Sequence, residues 1–407
     1  MTQPSSFRNR IFSVILLVVS VTLSLWLVEM GLRLFYHGVL FDPVRDNPGQ
    51  MLHPTRGTAN TPNSDMGMEK LAFVATAHIN SRGIRGPEIA QEPKPGVTRI
   101  LLVSDSGSFG SGVNDGENIA DQMQAILGKD KYEVVNLSVA AYSNVQEYVW
   151  LTEDGLALKP KLVILGFAPA NDIQTNYLPL QKVFQNDTKR PYAEPDGAGG
   201  FKLNYDAMNA SQERKKKGKW RTAILNFFVG PLTQRLVGQV SESLGGGRKQ
   251  DPNIWIGAPF LDAFDPEYGD GTLSEADYQK LWGDGWDVTK AVIRGMRDKT
   301  VAAGATFAMY PYVNKMQGNP DYLAAVQATY PNLKLNMQKP EQMFQDFGKE
   351  AGIPVLSMYQ ALTSEAAKGD RSIYFGADDE HMTAHGHHLA AEALVDDLVR
   401  QGILQKP

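Results

Sequence analysis

The stretch LLVSDSGSFGSGVNDGENIADQ, residues 101–122, runs from apolar residues through a Ser- and Gly-rich loop into a helix start. Its serines are Ser104, Ser106, Ser108 and Ser111. The loop lacks the GKS or GKT ending of a phosphate cradle, its glycines do not fit GxGxxG, and no serine sits in GxSxG. Ser106 comes just past the apolar run and ahead of Gly107, where a nucleophile can face a cleft. A serine nucleophile needs a base. Of the seven histidines, His37, His53 and His78 lie near the N-terminus, and four fall in GADDEHMTAHGHHLAAEAL, residues 376–394. His385 and His388 belong to an amphipathic helical pattern, whereas His381 precedes it, with Asp378 and Asp379 three and two residues before. An acid that close can orient the ring and stabilise the imidazolium. Alone, the same residues would read as an acidic turn suited to a helix N-terminus. His381 and His385 share helical spacing, but no carboxylate completes a metal site, and no metal or cofactor is expected.

Residues from distant parts of the chain must be brought together by a fold. The segments 97–105, 131–139, 160–168, 305–313 and 353–359 read as buried strands, separated by helical patterns in ENIADQMQAIL, NVQEYVWLTEDGLAL, WDVTKAVIRGMRDKTVAAG and PEQMFQDFGKEAG. Strands alternating with helices predict an α/β fold of three layers, α/β/α, on a parallel five-stranded sheet. In such a sheet ligands bind outside the carboxyl ends of the strands. The loops after the first three strands and the one carrying His381 should therefore converge.

In four ordered blocks the chain resembles the SGNH hydrolases, also called GDSL esterases or lipases. VSDSGSFGSGV matches the first block, and the resemblance implies Ser106 as nucleophile. NLSVAAYS matches the second, with Ala141 where the family presents a backbone amide, and GFAPANDI matches GxND, with Asn171 as the oxyanion-hole side chain. DDEH matches the last block, with His381 as base; its longer form selects Asp378 as the acid and its shorter form Asp379. INSRGIRGPE and HGHHLAAEAL resemble the membrane-anchored, extracytoplasmic branch. The family implies a flavodoxin-like fold and an acyl-serine intermediate, with the oxyanion held by the amides of Ser106 and Ala141 and by Asn171. Two positions depart from the pattern: Ser104 and Ala141 each stand where the family has glycine. They support an alternative, a catalytically inactive binding or scaffolding subunit of the cell envelope.

The remaining sequence sets the setting. The 407 residues carry a formal charge of −5 and no cysteine, which excludes disulfides and a cysteine nucleophile and gives no field favouring nucleic acid. IFSVILLVVSVTLSLWLV, residues 11–28, follows Arg8 and Arg10 and is too long for a cleaved signal peptide. Residues 1–37 are expected to be a cytoplasmic tail and single-pass signal anchor, residues 38–95 a linker and N-terminal extension with a short strand at LAFVATAHIN, and residues 96–407 the hydrolase-like domain. That domain would lie outside the cytoplasmic membrane and act on an ester-bearing small molecule, glycan or lipid, by hydrolysis or O-acyl transfer. An insertion at about 176–285 carries the basic run ERKKKGKWR and Trp255, Trp282 and Trp286, which either line a groove or cover the core. No protein partner is identifiable.

Overall fold

The computed structural model describes residues 5–35, 49–169, 171–184, 189–214, 258–260, 274–376 and 379–405. The chain divides into two compact units, residues 1–48 with 211–251, and residues 49–210 with 252–407. The first holds helix α1 (Ser5–Phe35), 31 residues long, with Phe12, Val14, Ile15, Leu16, Leu17, Leu27 and Val28 exposed. Several of its side chains lie outside the described residues. Among the described residues, no helix is long and apolar enough to cross a membrane.

The second unit opens with two antiparallel hairpins, β1 (Gln50–His53) with β2 (Gly57–Asn60) and β3 (Ser64–Lys70) with β4 (Phe73–Ile79). The sequence predicts a linker with one short strand at LAFVATAHIN, which is β4, and does not predict β1, β2 or β3. Period-two burial along β4, with Ala75, Ala77 and Ile79 inward, explains why this stretch folds as strand. Bridges from Ile79 to Arg85 and from Arg85 to Asn136 tie it to the main sheet.

That sheet comprises β5 (Thr98–Val103), β6 (Tyr132–Asn136), β7 (Leu162–Phe167) and β10 (Thr306–Pro311), all parallel, in the order β6-β5-β7-β10. A small antiparallel pair, β8 (Tyr192–Pro195) and β9 (Phe201–Asn204), lies between β7 and β10 in sequence. The expected five strands are four. Residues 353–359 make one isolated bridge, Val355 to Met309, flanked by Met309 N–H donating to Pro354 O at 3.0 Å and Leu356 N–H donating to Met309 O at 2.8 Å. Pro354 has no N–H to extend the ladder.

Alternate side chains feed two cores, as a sheet covered on both faces requires. Leu101, Val103, Val163, Leu165, Phe307 and Met309 pack beneath helices α4 (Asn144–Trp150), α7 (Glu275–Ala302) and α10 (Lys339–Ala351). Ile100, Leu102, Ile164 and Ala308 pack beneath α3 (Ile119–Leu127), α11 (Tyr359–Ala367) and α12 (Ala384–Arg400). Further short helices include α2 (Ser106–Phe109), α5 (Asp172–Asn176), α6 (Leu178–Phe184), α8 (Lys315–Gly318) and α9 (Pro320–Thr329). Trp282 is buried in α7, and Trp286 packs on Phe167, Phe344 and Phe347, so both cover the core rather than line a groove. Trp255 and residues 215–221 of the basic run lie outside the described residues.

Because β6 lies on one side of β5 and β7 on the other, the chain direction switches at β5. Crevices open at such switch points, beyond the strand carboxyl ends. Ser106 follows β5, Ala141 follows β6 and Asn171 follows β7.

Candidate active site

Ser106 is the first residue of α2, a helix one turn long. Asp105 caps it, accepting from the Gly107 amide at 2.9 Å, and Gly110 ends it in the left-handed region at φ 86°. Gly107 is required by a close approach, since a Cβ there would meet the Tyr312 ring at 2.7 Å. The hydroxyl of that tyrosine accepts from Met382 N–H at 3.4 Å, so one ring supports both the turn of Ser106 and the residue after His381.

The His381 loop is fixed from three sides. Phe375 N–H donates to His381 O at 3.0 Å, Tyr374 bridges Met382, and Lys315 Nζ donates to Asp379 O at 2.8 Å. In this setting His381 Nε2 stands 2.9 Å from Ser106 Oγ, and His381 Nδ1 stands 2.8 Å from Asp379 Oδ1. An ionised carboxylate only accepts, so Nδ1 carries the proton and Nε2 presents its lone pair to the serine hydroxyl. The same Asp379 oxygen accepts from the His381 amide at 2.8 Å. Of the two aspartates left open by the sequence, Asp379 makes these contacts, while Asp378 lies outside the described residues.

Asn171 joins the cluster through Asp105, its Nδ2 donating to Asp105 Oδ2 at 3.2 Å. Ala141 sits in a loop whose start is tied to β5 by Val139 N–H donating to Ser104 O at 3.1 Å. Its φ is 66°, one of three positive-φ non-glycine residues among those described. Alanine therefore holds the left-handed conformation that favours glycine, at a cost of roughly 1–2 kcal/mol. Ala141→Gly is expected to raise stability by about 0.5–1 kcal/mol, part of the relief being lost to the greater freedom of glycine when unfolded. Urea unfolding tests this, and a destabilised variant would contradict it. At the other departure, Ser104, the hydroxyl is buried without a hydrogen-bond partner and lies 2.8 Å from where a Cβ on Gly166 would stand.

The other histidines have separate uses. His53 accepts from the Thr55 amide, His78 pairs with Asp65, His385 with Asp370, and His388 with Gln122 and Glu392. His37 lies outside the described residues. His387, which the sequence reading did not single out, is fully buried with no partner on either nitrogen. Burial first, then the charges of His381 and Arg85, push its pKa down to about 3. Among the described residues no group of side chains is arranged to hold a metal.

No family model and no curated protein matches the sequence. Solved structures to which the chain is similar include esterases and acylhydrolases. TesA is 12% identical at a TM-score of 0.35, covering 74% of this chain and 98% of that one. An acetylxylan esterase from Geobacillus stearothermophilus, solved as a catalytic mutant, is 14% identical at 0.36, covering 75% and 96%. A lipase/acylhydrolase from Enterococcus faecalis is 13% identical at 0.35, covering 76% and 99%. Likeness at this level says nothing of substrate.

Beneath the site lies a buried carboxylate network absent from the sequence reading. Asn144 Nδ2 donates to Glu147 Oε2 at 2.9 Å and to Asp172 Oδ2 at 3.1 Å, and Asn176 Nδ2 donates to Asn144 Oδ1 at 2.9 Å. Burial pushes Glu147 up to about 8, against the relief of the Asn144 bond. Burial, then the charges of Glu147 and Asp105, hold Asp172 well above the carboxylate range. Folding thus retains a proton on Glu147 that the unfolded chain releases near 4.5. Its contribution to stability is complete below that pH and is lost as pH rises through about 8. Glu147→Gln is expected to reduce the fall of stability between those limits and to be more stable than the native chain at pH 8. Urea melts across this range check it, and an unchanged slope would contradict it.

Proposed function

We propose that the protein is a serine ester hydrolase or O-acyltransferase of the SGNH type. The observation that carries this reading is the continuous hydrogen-bonded chain from Ser106 Oγ through the His381 ring to Asp379. Ser106 attacks the ester carbonyl as His381 Nε2 takes its proton, and Asp379 stabilises the imidazolium. His381 then protonates the departing alcohol, leaving an acyl-serine. Water attacks that acyl group in hydrolysis, and a sugar hydroxyl does so in transfer. The backbone amides of Ser106 and Ala141 and the second Nδ2 hydrogen of Asn171 are the proposed donors to the oxyanion, each worth about 10²–10³ in turnover.

The setting belongs to the same proposal. Residues 11–28, flanked by Arg8 and Arg10, would anchor the chain in the cytoplasmic membrane with the α/β unit outside the cytoplasm. Ester groups on cell-envelope carbohydrate or lipid are then the substrates within reach. Turnover of p-nitrophenyl acetate and longer-chain esters by the full chain in detergent micelles tests the activity. Hydrolysis of at least one ester supports it. No turnover across the series, together with inert Ser106, would favour a binding or scaffolding role.

A further inference from the structure

The N-terminal extension reaches three loops of the candidate site, those of Ser106, Ala141 and His381. On the nucleophile side, Met66, Ala77 and Ile79 pack on Phe109 of α2. The buried Arg85 guanidinium donates to Phe109 O, Gly110 O and Val113 O, each at 2.7 Å. From β4, Thr76 N–H donates to Asn114 Oδ1 at 3.2 Å and His78 N–H to Asp115 Oδ2 at 2.9 Å. Toward the second loop, Gln50 Nε2 donates to Ala140 O at 3.0 Å. On the base side, Phe73 stacks on Phe375 with centroids 4.9 Å apart. There, at the end of β3, Lys70 Nζ lies 2.5 Å from Asp379 Oδ2.

This last contact uses the one Asp379 oxygen that His381 leaves free. Oδ1 takes both the ring Nδ1–H and the amide of His381, and Oδ2 takes the Lys70 ammonium. The Asp379 side chain has no exposure, whereas that of Lys70 is half exposed. We propose that Lys70 is a positioning residue of the catalytic chain, holding the Asp379 carboxylate in register with His381 and moderating the negative charge that His381 experiences. The inference rests on the serine hydrolase reading of the site.

Two effects follow from one ammonium. It fixes the carboxylate plane, so the imidazole is aimed at Ser106 before substrate arrives. It also offsets part of the carboxylate charge that faces the His381 ring, so its removal changes the field at the base. Other charged and titratable groups also face this pair, none of them bonded to Asp379 Oδ2. Asp105 is held by the Gly107 amide and Asn171, the Lys315 ammonium is spent on the carbonyls of Gly376 and Asp379, Glu380 pairs with Tyr322, and His387 is buried and neutral. Burial tends to raise Asp379, but the hydrogen bond and charge of His381, then the Lys70 bond, outweigh it and hold the carboxyl below its usual range.

The test is the pH dependence of Ser106 acylation by a fluorophosphonate probe and of kcat/KM for p-nitrophenyl acetate, on the full chain. Lys70→Met is expected to move the acid limb of both profiles upward by about half to one pH unit and to lower kcat more than it raises KM. Lys70→Arg should keep the limb at its native position. Lys129→Met, which removes an exposed charge away from the site, should leave both profiles unmoved. A merely structural Lys70 would lower the melting temperature and leave the limb in place, and that result overturns the inference. If Ser106 instead reacts with nothing in the native protein, the hydrolase reading itself fails and the inference with it.

Discussion

Alanine at Ser106 is expected to lower kcat for ester hydrolysis by about 10⁴-fold or more while leaving the unfolding midpoint nearly unchanged. The hydroxyl makes its one described side-chain bond to His381 Nε2, at the half-exposed edge of the cleft. Removing it leaves a ring nitrogen that water can reach rather than a buried orphan, so the fold loses little. The chemistry loses its nucleophile, and only charge stabilisation and binding remain to accelerate attack by water. A factor of 10⁴ corresponds to about 5.5 kcal/mol on the barrier. Parallel kinetics and thermal melts check both halves. Activity within tenfold of native would show that some other group attacks.

Asn in place of Asp379 is expected to cost about 10⁴ in kcat, close to the loss of the base itself. The amide has the shape of the carboxylate but can turn an NH₂ toward His381 Nδ1. The ring then protonates on Nε2, and the proton sits on the nitrogen that should accept from Ser106. The charge that stabilises the imidazolium is lost as well. Because the Lys70 ammonium would keep an uncompensated neighbour, some stability should also be lost. Asp378→Asn is the companion variant. Were Asp378 the acid, the two losses would be reversed.

Much of the architecture could be read in advance because its cause is local. Thr98–Val103, Leu162–Phe167 and Thr306–Pro311 are apolar runs with helical patterns between them, and buried parallel strands have that signature. The run at 353–359 had the same signature but yielded one bridge, since Pro354 interrupts donation along the backbone. Within the hairpin of β3 and β4, LAFVATAHIN was legible as a strand, but SDMGMEK was not, because its inward side is carried by Met66 among polar and exposed residues.

The site divides in the same way. Ser106 and His381 were legible from residue type and loop position, whereas Asn171 and Ala141 were marked only by the family resemblance. The contact of Asp379 with His381 needed coordinates, as spacing alone admits either aspartate. Lys70 lies 309 residues from Asp379, and Asn144, Glu147 and Asp172 are surrounded by ordinary helix sequence. Nothing in their local pattern marks them. Contacts of this kind arise from the packing of the extension and helices, which composition and periodicity do not encode.

The central claim is that His381 activates Ser106 as a nucleophile. Fluorophosphonate labelling of the full chain followed by peptide mass spectrometry tests it most directly, without knowledge of the natural substrate. A single phosphonylated residue, Ser106, is expected, with labelling that collapses in His381→Ala. Labelling of another serine, or unlabelled Ser106 in folded native protein, would contradict it.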